Sequence, residues 1–168
     1  MSDLDARIRR LEDRVEISDL STRYFLASDF DDYDTIADCY AAESTFAASG
    51  FEGGRGPQGV ADMIRGARAN FGTTIHTPHY SLVDFQDDDH ATGMVGAHVE
   101  IAVGGKSCFG AVRYEDEYVR EGGAWKFRSR NMKTVHFQPW EDAGTSLTAD
   151  LPTRWPGADP GPNDYPRA

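Results

Sequence analysis

The sequence contains few cysteines and few basic residues. Cys39 and Cys108 are its only two cysteines in 168 residues. They lie far apart and match no Cys-x-x-Cys or Cys/His metal spacing, which indicates two buried free thiols. The 17 Lys and Arg stand against 28 Asp and Glu, and the formal charge of -11 repels nucleic acid phosphates and anionic lipid head groups. We therefore expect neither nucleic acid nor a membrane surface as a partner.

Long apolar runs are also absent. No stretch approaches the ~20 apolar residues that a membrane-spanning helix needs. The amino terminus, Met1-Ser2-Asp3-Leu4-Asp5, is acidic, whereas a secretory signal peptide is first basic and then apolar. We expect a cytoplasmic protein. With 39% hydrophobic residues over its 168 positions, the chain is expected to form one domain with a single core.

The first part of the chain has a helical pattern. Residues 3–28 carry apolar side chains at a near-helical period, which predicts a long amphipathic helix, with a break near Ile17 as an alternative. These apolar side chains are Leu4, Ile8, Leu11, Val15, Leu20 and Tyr24. After an acidic stretch, Asp34 is suited to cap a second helix that continues to about Glu43.

The second part of the chain has the pattern of strands. A short strand is predicted over residues 44–49 and a glycine-rich turn over 50–56, and Pro57 can begin a third helix that ends near Phe71. Four long strands follow, separated by Asp- and Gly-rich turns. They are predicted over residues 75–85, 91–103, 106–120 and 124–137. Helices followed by an antiparallel meander indicate an α+β fold, with the helices on one face of a curved sheet.

The end of the chain is rich in proline. Six prolines follow Gln138, so this segment is not expected to join a central strand or a helix. We assign residues 1–137 to one domain and 138–168 to a tail that wraps the domain or covers a neighbouring subunit. The uncovered face of the sheet predicts a homo-oligomer, a dimer or a trimer.

Most catalytic motifs are missing. Residues 54–59 match G-x-G-x-x-G, but Pro57 interrupts the pattern and no alternating strands and helices surround it. His76 and His79 are three residues apart on a predicted strand, so they point to opposite faces and are poorly placed to share a metal ion. No Gly-x-Ser-x-Gly elbow is present. We expect no metal and no cofactor, and the chemistry left is proton transfer.

Several segments occur in the order and spacing of a known family. They are Arg10 to Arg14, Asp19 to Tyr24, Ala41 to Phe46, Gly54 to Gly56 and Gly123 to Arg130. Together they resemble the SnoaL-like proteins of the nuclear transport factor 2-like superfamily, over roughly residues 8–137. The resemblance implies a cone of three amino-terminal helices packed on a curved antiparallel sheet, with one internal pocket for a hydrophobic small molecule. Because this superfamily includes dehydratases, dehydrochlorinases, isomerases, cyclases and non-catalytic members, fold alone does not give the function.

The resemblance also implies catalytic residues. Thr74-Ile75-His76 and much of the last strand are similar to the gamma-hexachlorocyclohexane dehydrochlorinases, whose catalytic Asp, His and Arg fall on Asp29, His76 and Arg130. Tyr24 occupies the position of their active-site lysine. Tyr24, Asp29 and His76 instead resemble the Tyr-Asp-His set of the scytalone and bile acid 7-alpha-dehydratases. This departure favours a hydroxyl over a halide as the leaving group.

These residues suit an elimination reaction. An imidazole bound to a carboxylate is held in one tautomer and is more basic, so His76 oriented by Asp29 can take a proton from carbon. Tyr24 can donate a hydrogen bond to the leaving oxygen, and Arg130 can stabilise the developing charge. Six more side chains are expected to contact the substrate: Phe46, Phe71, His79, His98, Phe109 and Trp125.

We therefore expect a cofactor-independent lyase that dehydrates a hydrophobic cyclic molecule such as a steroid, a polyketide or an alicyclic compound. The alternative enzymatic reactions are dehydrochlorination, isomerisation and cyclisation, each catalysed by the same Asp29 and His76. A non-catalytic ligand-binding or assembly domain is the alternative that is not an enzyme. A separation of Asp29 and His76 beyond one bridging water would favour that last alternative.

Overall fold

The structure is a computed structural model that describes residues 3–49 and 51–165. Helix α1 covers Asp3–Asp29, α2 covers Tyr33–Asp38 and α3 covers Gly56–Arg68. Helix α1 is continuous through Ile17, so the alternative of a break there is wrong. None of the helices in the described ranges combines the length and the apolar composition needed to cross a membrane.

Helix α2 is shorter than the sequence predicts. It is capped by Asp32 rather than Asp34, because the Asp32 side chain accepts the Thr35 N–H at 3.0 Å. The helix ends at Asp38 instead of continuing to residue 43. The residues after it are drawn into a strand, in which Tyr40 is buried and lies opposite Phe127 in the sheet.

Six strands form one mixed sheet. They are β1 (Tyr40–Ala48), β2 (Phe51–Arg55), β3 (Phe71–Phe85), β4 (His90–Val103), β5 (Lys106–Glu121) and β6 (Ala124–Pro139). Their order across the sheet is β2-β1-β6-β5-β4-β3. Strands β1 and β6 pair in parallel, whereas the other neighbours are antiparallel. The prediction of an antiparallel sheet was therefore wrong at one pairing.

The predicted glycine-rich turn over residues 50–56 was also wrong. Residues 51–55 form the edge strand β2, while Gly50 lies outside the described residues. The turns at Gly104-Gly105 and Gly122-Gly123 lie where the sequence predicts them. All four glycines there have positive φ, between 59° and 86°, as a two-residue hairpin turn requires.

Polar contacts hold the first half of α1 against the sheet. Asp13 is buried, accepts the Trp125 Nε1–H at 3.1 Å and pairs with Arg120. Arg14 Nη1 donates to the Val83 carbonyl at 2.8 Å, and Arg10 Nη1 donates to the Asp87 carbonyl at 3.1 Å. These contacts turn the polar side of the helix toward the domain over its first four turns.

The proline-rich tail lies on the edge of the domain's own sheet. Two short 3₁₀ turns, Trp140–Asp142 and Ser146–Thr148, begin it. Thr153 then forms a parallel bridge with Phe137 of β6, and Asp164 Oδ2 accepts the Thr134 N–H at 2.6 Å. The tail extends the sheet where β1 has ended, so it covers backbone groups of β6 that would otherwise be unpaired.

A buried ion pair lies inside the core. Arg130 and Asp116 have fully buried side chains, and Arg130 Nε and Nη2 contact the two carboxylate oxygens at 2.9 and 2.8 Å. The rings of Tyr24, Tyr114 and Phe127 pack around the guanidinium, with centroids 4.6, 4.4 and 3.9 Å from its central carbon. Two charges in this apolar setting are stable only as a pair.

Replacing Asp116 with Ala is therefore expected to lower the free energy of unfolding by about 3–5 kcal/mol, because it leaves the Arg130 cation buried without its counter-ion. Urea unfolding followed by circular dichroism measures the loss. Asp62→Ala is the matched control, since Asp62 pairs at 2.6 Å with Arg65 on the exposed surface and should contribute less than about 1 kcal/mol. Equal losses in the two variants would contradict the expectation.

Candidate active site

A cavity of about 280 Å³ lies between α1, α3 and the inner face of the sheet. Its wall is mainly apolar, with a small group of polar side chains on one side. The apolar lining is Phe46, Ala48, Met63, Ile64, Ala67, Phe71, Ile101, Met132 and Trp155. The polar lining is Tyr24, Ser28, Arg68, Thr74, His76 and Tyr114. A concave apolar site with a few convergent polar groups is typical of small-molecule binding.

Asp29 and His76 meet at this cavity. Asp29 is the last residue of α1, and His76 lies on β3. Asp29 Oδ1 is 2.7 Å from His76 Nδ1, and Asp29 Oδ2 accepts the backbone N–H of His76 at 2.9 Å. The two carboxylate oxygens therefore bind the side chain and the main chain of one residue, which fixes the position of the imidazole.

The charge on Asp29 decides the tautomer of His76. Partial burial raises the pKa of Asp29, but the hydrogen bonds from the His76 side chain, the His76 backbone and Thr74 outweigh it and hold that pKa below its ordinary value. An ionised carboxylate only accepts hydrogen bonds, so Nδ1 of His76 carries the proton. In the neutral ring Nε2 then has the free lone pair, and it belongs to a side chain in the cavity wall.

The plane of the imidazole is fixed as well. The Phe25 ring stacks on it, with centroids 5.3 Å apart and an interplanar angle of 13°. Phe25 is buried in the core, so it is a rigid support. Asp29 and Phe25 together leave the His76 ring little freedom to rotate.

A second chain of hydrogen bonds reaches Asp29 through Thr74. Arg68 Nη1 donates to Thr74 Oγ1 at 2.7 Å, and Thr74 Oγ1 donates to Asp29 Oδ1 at 2.9 Å. A guanidinium has no acceptor, so the direction of both bonds is fixed. Arg68 is held in turn by Asp31, whose Oδ1 lies 2.6 Å from Nε. Thr74 and Arg68 therefore support the ionised state and the orientation of Asp29.

Two tyrosines provide hydrogen-bond donors in the wall. Burial raises the pKa of Tyr24, although the nearby Arg130 charge opposes the shift. Burial raises the pKa of Tyr114 as well. Both phenols therefore stay protonated at neutral pH. Ser28 adds a buried hydroxyl to the wall.

Arg130 lies behind the cavity wall and not in it. Its guanidinium is covered by the rings of Tyr24 and Tyr114, and its charge is paired with Asp116. The charge of Arg130 is therefore separated from a ligand in this cavity by the rings of Tyr24 and Tyr114. The guanidinium also lies 5.3 Å from the centroid of the Phe25 ring, which stacks on His76.

The predicted substrate contacts divide into two groups. Phe46 and Phe71 line the cavity, so a substrate contact stays a prediction for both. His79, His98, Phe109 and Trp125 do not line it, so the prediction of a contact there is wrong for these four.

Strand alternation and distance explain the misplaced residues. His79 and His98 lie on the outer face of the sheet and pack against each other, with ring centroids 4.4 Å apart. Phe109 also points outward and stacks on Trp140. Trp125 is buried, but at the end of the sheet where the first half of α1 packs, next to Phe85.

Trp155 also lines the cavity, although the sequence pattern did not indicate it, because the tail folds back to this place. Its ring stacks on Phe137 at 3.8 Å and lies 6.3 Å from Phe71, both between centroids. A tryptophan among prolines is the only signal in the sequence. Thr74 could have been found, since it lies two residues before His76 and so shares its face of the strand.

Comparisons with known proteins show the family of this chain. The profile of the SnoaL-like domain matches residues 9–131. The chain belongs to the SnoaL-like family. This SnoaL-like protein is 30% identical to the gamma-hexachlorocyclohexane dehydrochlorinase of Sphingobium indicum over 145 residues, which cover 83% of this chain and 88% of the relative. Hexachlorocyclohexane dehydrochlorinase 2 of the same species gives the same figures.

Solved structures show the same fold. The crystal structure of LinA superposes with a TM-score of 0.76 at 26% identity, over 79% of this chain and 92% of that one. A scytalone dehydratase-like protein from Novosphingobium aromaticivorans superposes with a TM-score of 0.73 at 17% identity, over 80% and 91% of the two chains. The second likeness concerns the fold alone.

Removing the Thr74 hydroxyl is expected to raise the pKa of Asp29. In Thr74→Val the carboxylate loses one donor, so its charged form is less stabilised. A ¹³C NMR titration of the Asp29 carboxyl measures the change. Thr74→Ser keeps the donor and should keep the pKa low, and Thr77→Val on the outer face is the matched control. An unchanged Asp29 pKa in Thr74→Val would contradict the support assigned to this hydroxyl.

The same bond has a consequence for stability. The pKa of Asp29 is lowered in the fold from its ordinary value of 3.8, so its interactions stabilise the fold above that pH and are lost as the pH falls through the folded value. The difference in unfolding free energy between the wild type and Thr74→Val should therefore shrink on acidification below about pH 4.

Replacing Trp155 with Ala is expected to weaken the binding of a compact cyclic ligand about tenfold, because one aromatic wall of the cavity is removed. Cyclohexanone binding followed by ligand-observed NMR measures this. Trp140→Ala is the control, since Trp140 stacks on Phe109 outside the cavity and should leave the affinity unchanged. Equal affinities of the wild type and Trp155→Ala would show that the tail does not form part of the binding site.

Proposed function

We propose that this SnoaL-like protein is a cofactor-independent lyase that removes water from a compact, hydrophobic cyclic molecule. One observation carries the proposal. His76 Nδ1 lies 2.7 Å from the Asp29 carboxylate, which leaves Nε2 with the free lone pair on a residue that lines a largely apolar cavity. The relatives named dehydrochlorinases support elimination as the class of reaction.

The proposed elimination needs only the side chains of His76, Tyr24 and Asp29. His76 Nε2 takes a proton from a ring carbon, and the electrons of that C–H bond form the new double bond. The neighbouring C–O bond breaks, and its electron pair leaves with the hydroxyl oxygen. Tyr24 donates a proton to that oxygen, so that water is released. The resulting imidazolium is stabilised by Asp29, and both groups return to their starting states by proton exchange with solvent.

Tyr24 favours a hydroxyl as the leaving group. A departing hydroxide needs a proton, and the protonated phenol of Tyr24 supplies one inside the cavity. Arg130 lies 4.6 Å from the centroid of the Tyr24 ring, so a transient tyrosinate would be stabilised by the cation behind it. Ser28 and Tyr114 are further donors for a substrate oxygen.

The size of the cavity limits the substrate. A volume of about 280 Å³ lies just below the range of about 300–1,000 Å³ that is usual for small-molecule sites. A single ring with a few substituents fits such a space better than the four fused rings of a steroid. We therefore propose an alicyclic substrate and not a steroid.

Dehydrochlorination is the second candidate. The identity of 30% to proteins named for this reaction favours it directly. A halide leaves without a proton, so the same base would suffice and Tyr24 would only donate a hydrogen bond. Isomerisation uses the base too, with the proton returned to another carbon.

Replacing His76 with Ala is expected to lower kcat by roughly 100-fold to 10,000-fold with little change in KM, because a general base acts mainly in the transition state. Asp29→Asn should lose a similar factor, since the amide does not stabilise the imidazolium. The double variant should be about as slow as the slower single variant. His79→Ala, which removes a histidine from the outer face, is the control and should retain full activity.

Three six-membered rings distinguish the reactions in the same assay. They are 3-hydroxycyclohexanone for dehydration, γ-hexachlorocyclohexane for dehydrochlorination and cyclohex-3-enone for isomerisation. Turnover of 3-hydroxycyclohexanone that is lost in His76→Ala supports the proposal. Turnover of γ-hexachlorocyclohexane alone would show that the eliminated molecule is hydrogen chloride and not water. Activity that is retained in His76→Ala would show that His76 is not the general base. Binding of these rings without turnover would favour the non-catalytic alternative.

A further inference from the structure

Helix α1 exposes an apolar stripe on its solvent side. The exposed fractions of Leu4, Ile8, Leu11 and Val15 are 62%, 46%, 64% and 60%. The sequence predicts these residues as the apolar face of an amphipathic helix, and the structure turns this face toward solvent. Four large aliphatic side chains on one exposed helix face form a contiguous apolar surface, which marks an interaction site more often than isolated exposed residues do.

The stripe points directly away from the domain. At about 100° per residue, Leu4 lies about 180° around the helix from Asp13, and Asp13 is buried against Arg120 and Trp125. Leu11 and Val15 lie within about 20° of the same direction. Within residues 3–49 and 51–165, the stripe therefore faces solvent and is open to a partner.

The spacing of the stripe is that of a coiled-coil seam. Its residues are separated by four, three and four positions, which places Leu4 and Leu11 at d and Ile8 and Val15 at a of a heptad. Ser18 and Thr22 occupy the next d and a positions. The apolar seam is therefore limited to the first four turns of α1.

The charges beside the seam have a fixed arrangement. The e positions are acidic, the g positions are basic, and the seam separates them. The e positions are Asp5, Glu12 and Asp19, and the g positions are Arg7 and Arg14. In a parallel pair each g residue faces the e residue five positions later on the other helix, so Arg7 meets Glu12 twice by symmetry. An antiparallel pair would bring g against g and e against e, which repel.

We propose that α1 is a dimerisation helix that pairs in parallel and in register with α1 of a second copy of this chain. Two heptads are marginal as a free peptide. Here the helix is already held against the domain by Arg10, Asp13 and Arg14. Association therefore does not include the entropic cost of forming the helix. Because Arg14 donates to Val83, the choice of orientation rests on Arg7 and Glu12.

This interface is separate from the outer face of the sheet, which the sequence reading expected to form an oligomer. The two lie on different sides of the molecule, and α1 pairing does not need the sheet face. It is also independent of the proposed lyase activity. A variant that loses one is expected to keep the other.

The first experiment compares two exposed leucines. Leu11→Glu should raise the dimer dissociation constant by at least about 100-fold, because the symmetric change removes two leucines from the seam. Leu147→Glu is the matched control, since Leu147 is 73% exposed in the tail. Sedimentation velocity across a concentration series measures both, and circular dichroism checks that each variant is folded. Unchanged association in Leu11→Glu, or equal loss in both variants, would overturn the proposal.

The second experiment tests the orientation by charge reversal. Arg7→Glu and Glu12→Arg each place like charges across a parallel seam and should weaken the dimer. The double variant restores opposite charges and should recover the wild-type dissociation constant. A double variant as weak as the single ones would rule out parallel pairing. Higher salt should weaken the wild type, because it screens the same pairs.

The third experiment traps the pair. Leu4→Cys places a thiol at the end of the helix, where only a parallel, in-register dimer brings two copies of residue 4 together, and oxidation should link them. The native Cys39 and Cys108 are buried and do not compete. Leu147→Cys is the control for random collisions. If the wild-type protein stays monomeric at about 100 µM but binds phosphatidylcholine vesicles, the stripe binds a lipid surface and the proposed dimer is wrong.

Discussion

The ionised carboxylate of Asp29 links the fold and the candidate site in one contact. A negative charge at the end of a helix faces the negative end of the helix dipole, which is unfavourable. Here it is stabilised by three donors from two residues of β3, the Thr74 hydroxyl and the His76 backbone and ring. The same bonds fasten the end of α1 to the sheet and set the tautomer of His76. Helix position and base orientation therefore depend on one charge.

Two positive charges close to the cavity are each paired with a carboxylate. Arg130 is buried with Asp116, and Arg68 in the cavity wall is paired with Asp31. Neither presents a free cation to the substrate. This favours neutral, apolar ligands over anionic ones, since an anion would have to compete with a carboxylate already in place. The hydrogen-bond donors of the wall are instead hydroxyl groups, which suit a substrate oxygen or halogen.

Local sequence patterns predicted the elements that hold the core of the site. The hairpin glycines, the strand that carries His76 and the acidic end of α1 follow from turn chemistry and alternation, and the resemblance brought Asp29 and His76 together. Side-chain placement was predicted less well. Single-strand patterns do not say which face is inner, so His79, His98 and Phe109 were misassigned. Trp155 depends on how the tail folds back, a long-range contact that no local pattern encodes.

The apolar face of α1 is a different case. Apolar periodicity predicts that Leu4 to Val15 form an apolar face of α1, but it does not predict what covers this face. In the structure, the sheet contacts the first half of α1 through Arg10, Asp13 and Arg14. Apolar contact with the core begins only at Ile17 and continues through Leu20 and Tyr24.

Helix α1 therefore has two halves with different surfaces. It spans 27 residues, roughly 40 Å. Asp29 lies on its last turn, and the apolar contacts that position this turn begin at Ile17. The first four turns of α1 are therefore not needed to position Asp29. They keep their helical form through polar contacts with the domain while exposing aliphatic side chains, an arrangement that is unfavourable in water unless the stripe is covered. Association of this half is the physical reason that best accounts for its length, its polar attachment and its ordered charges.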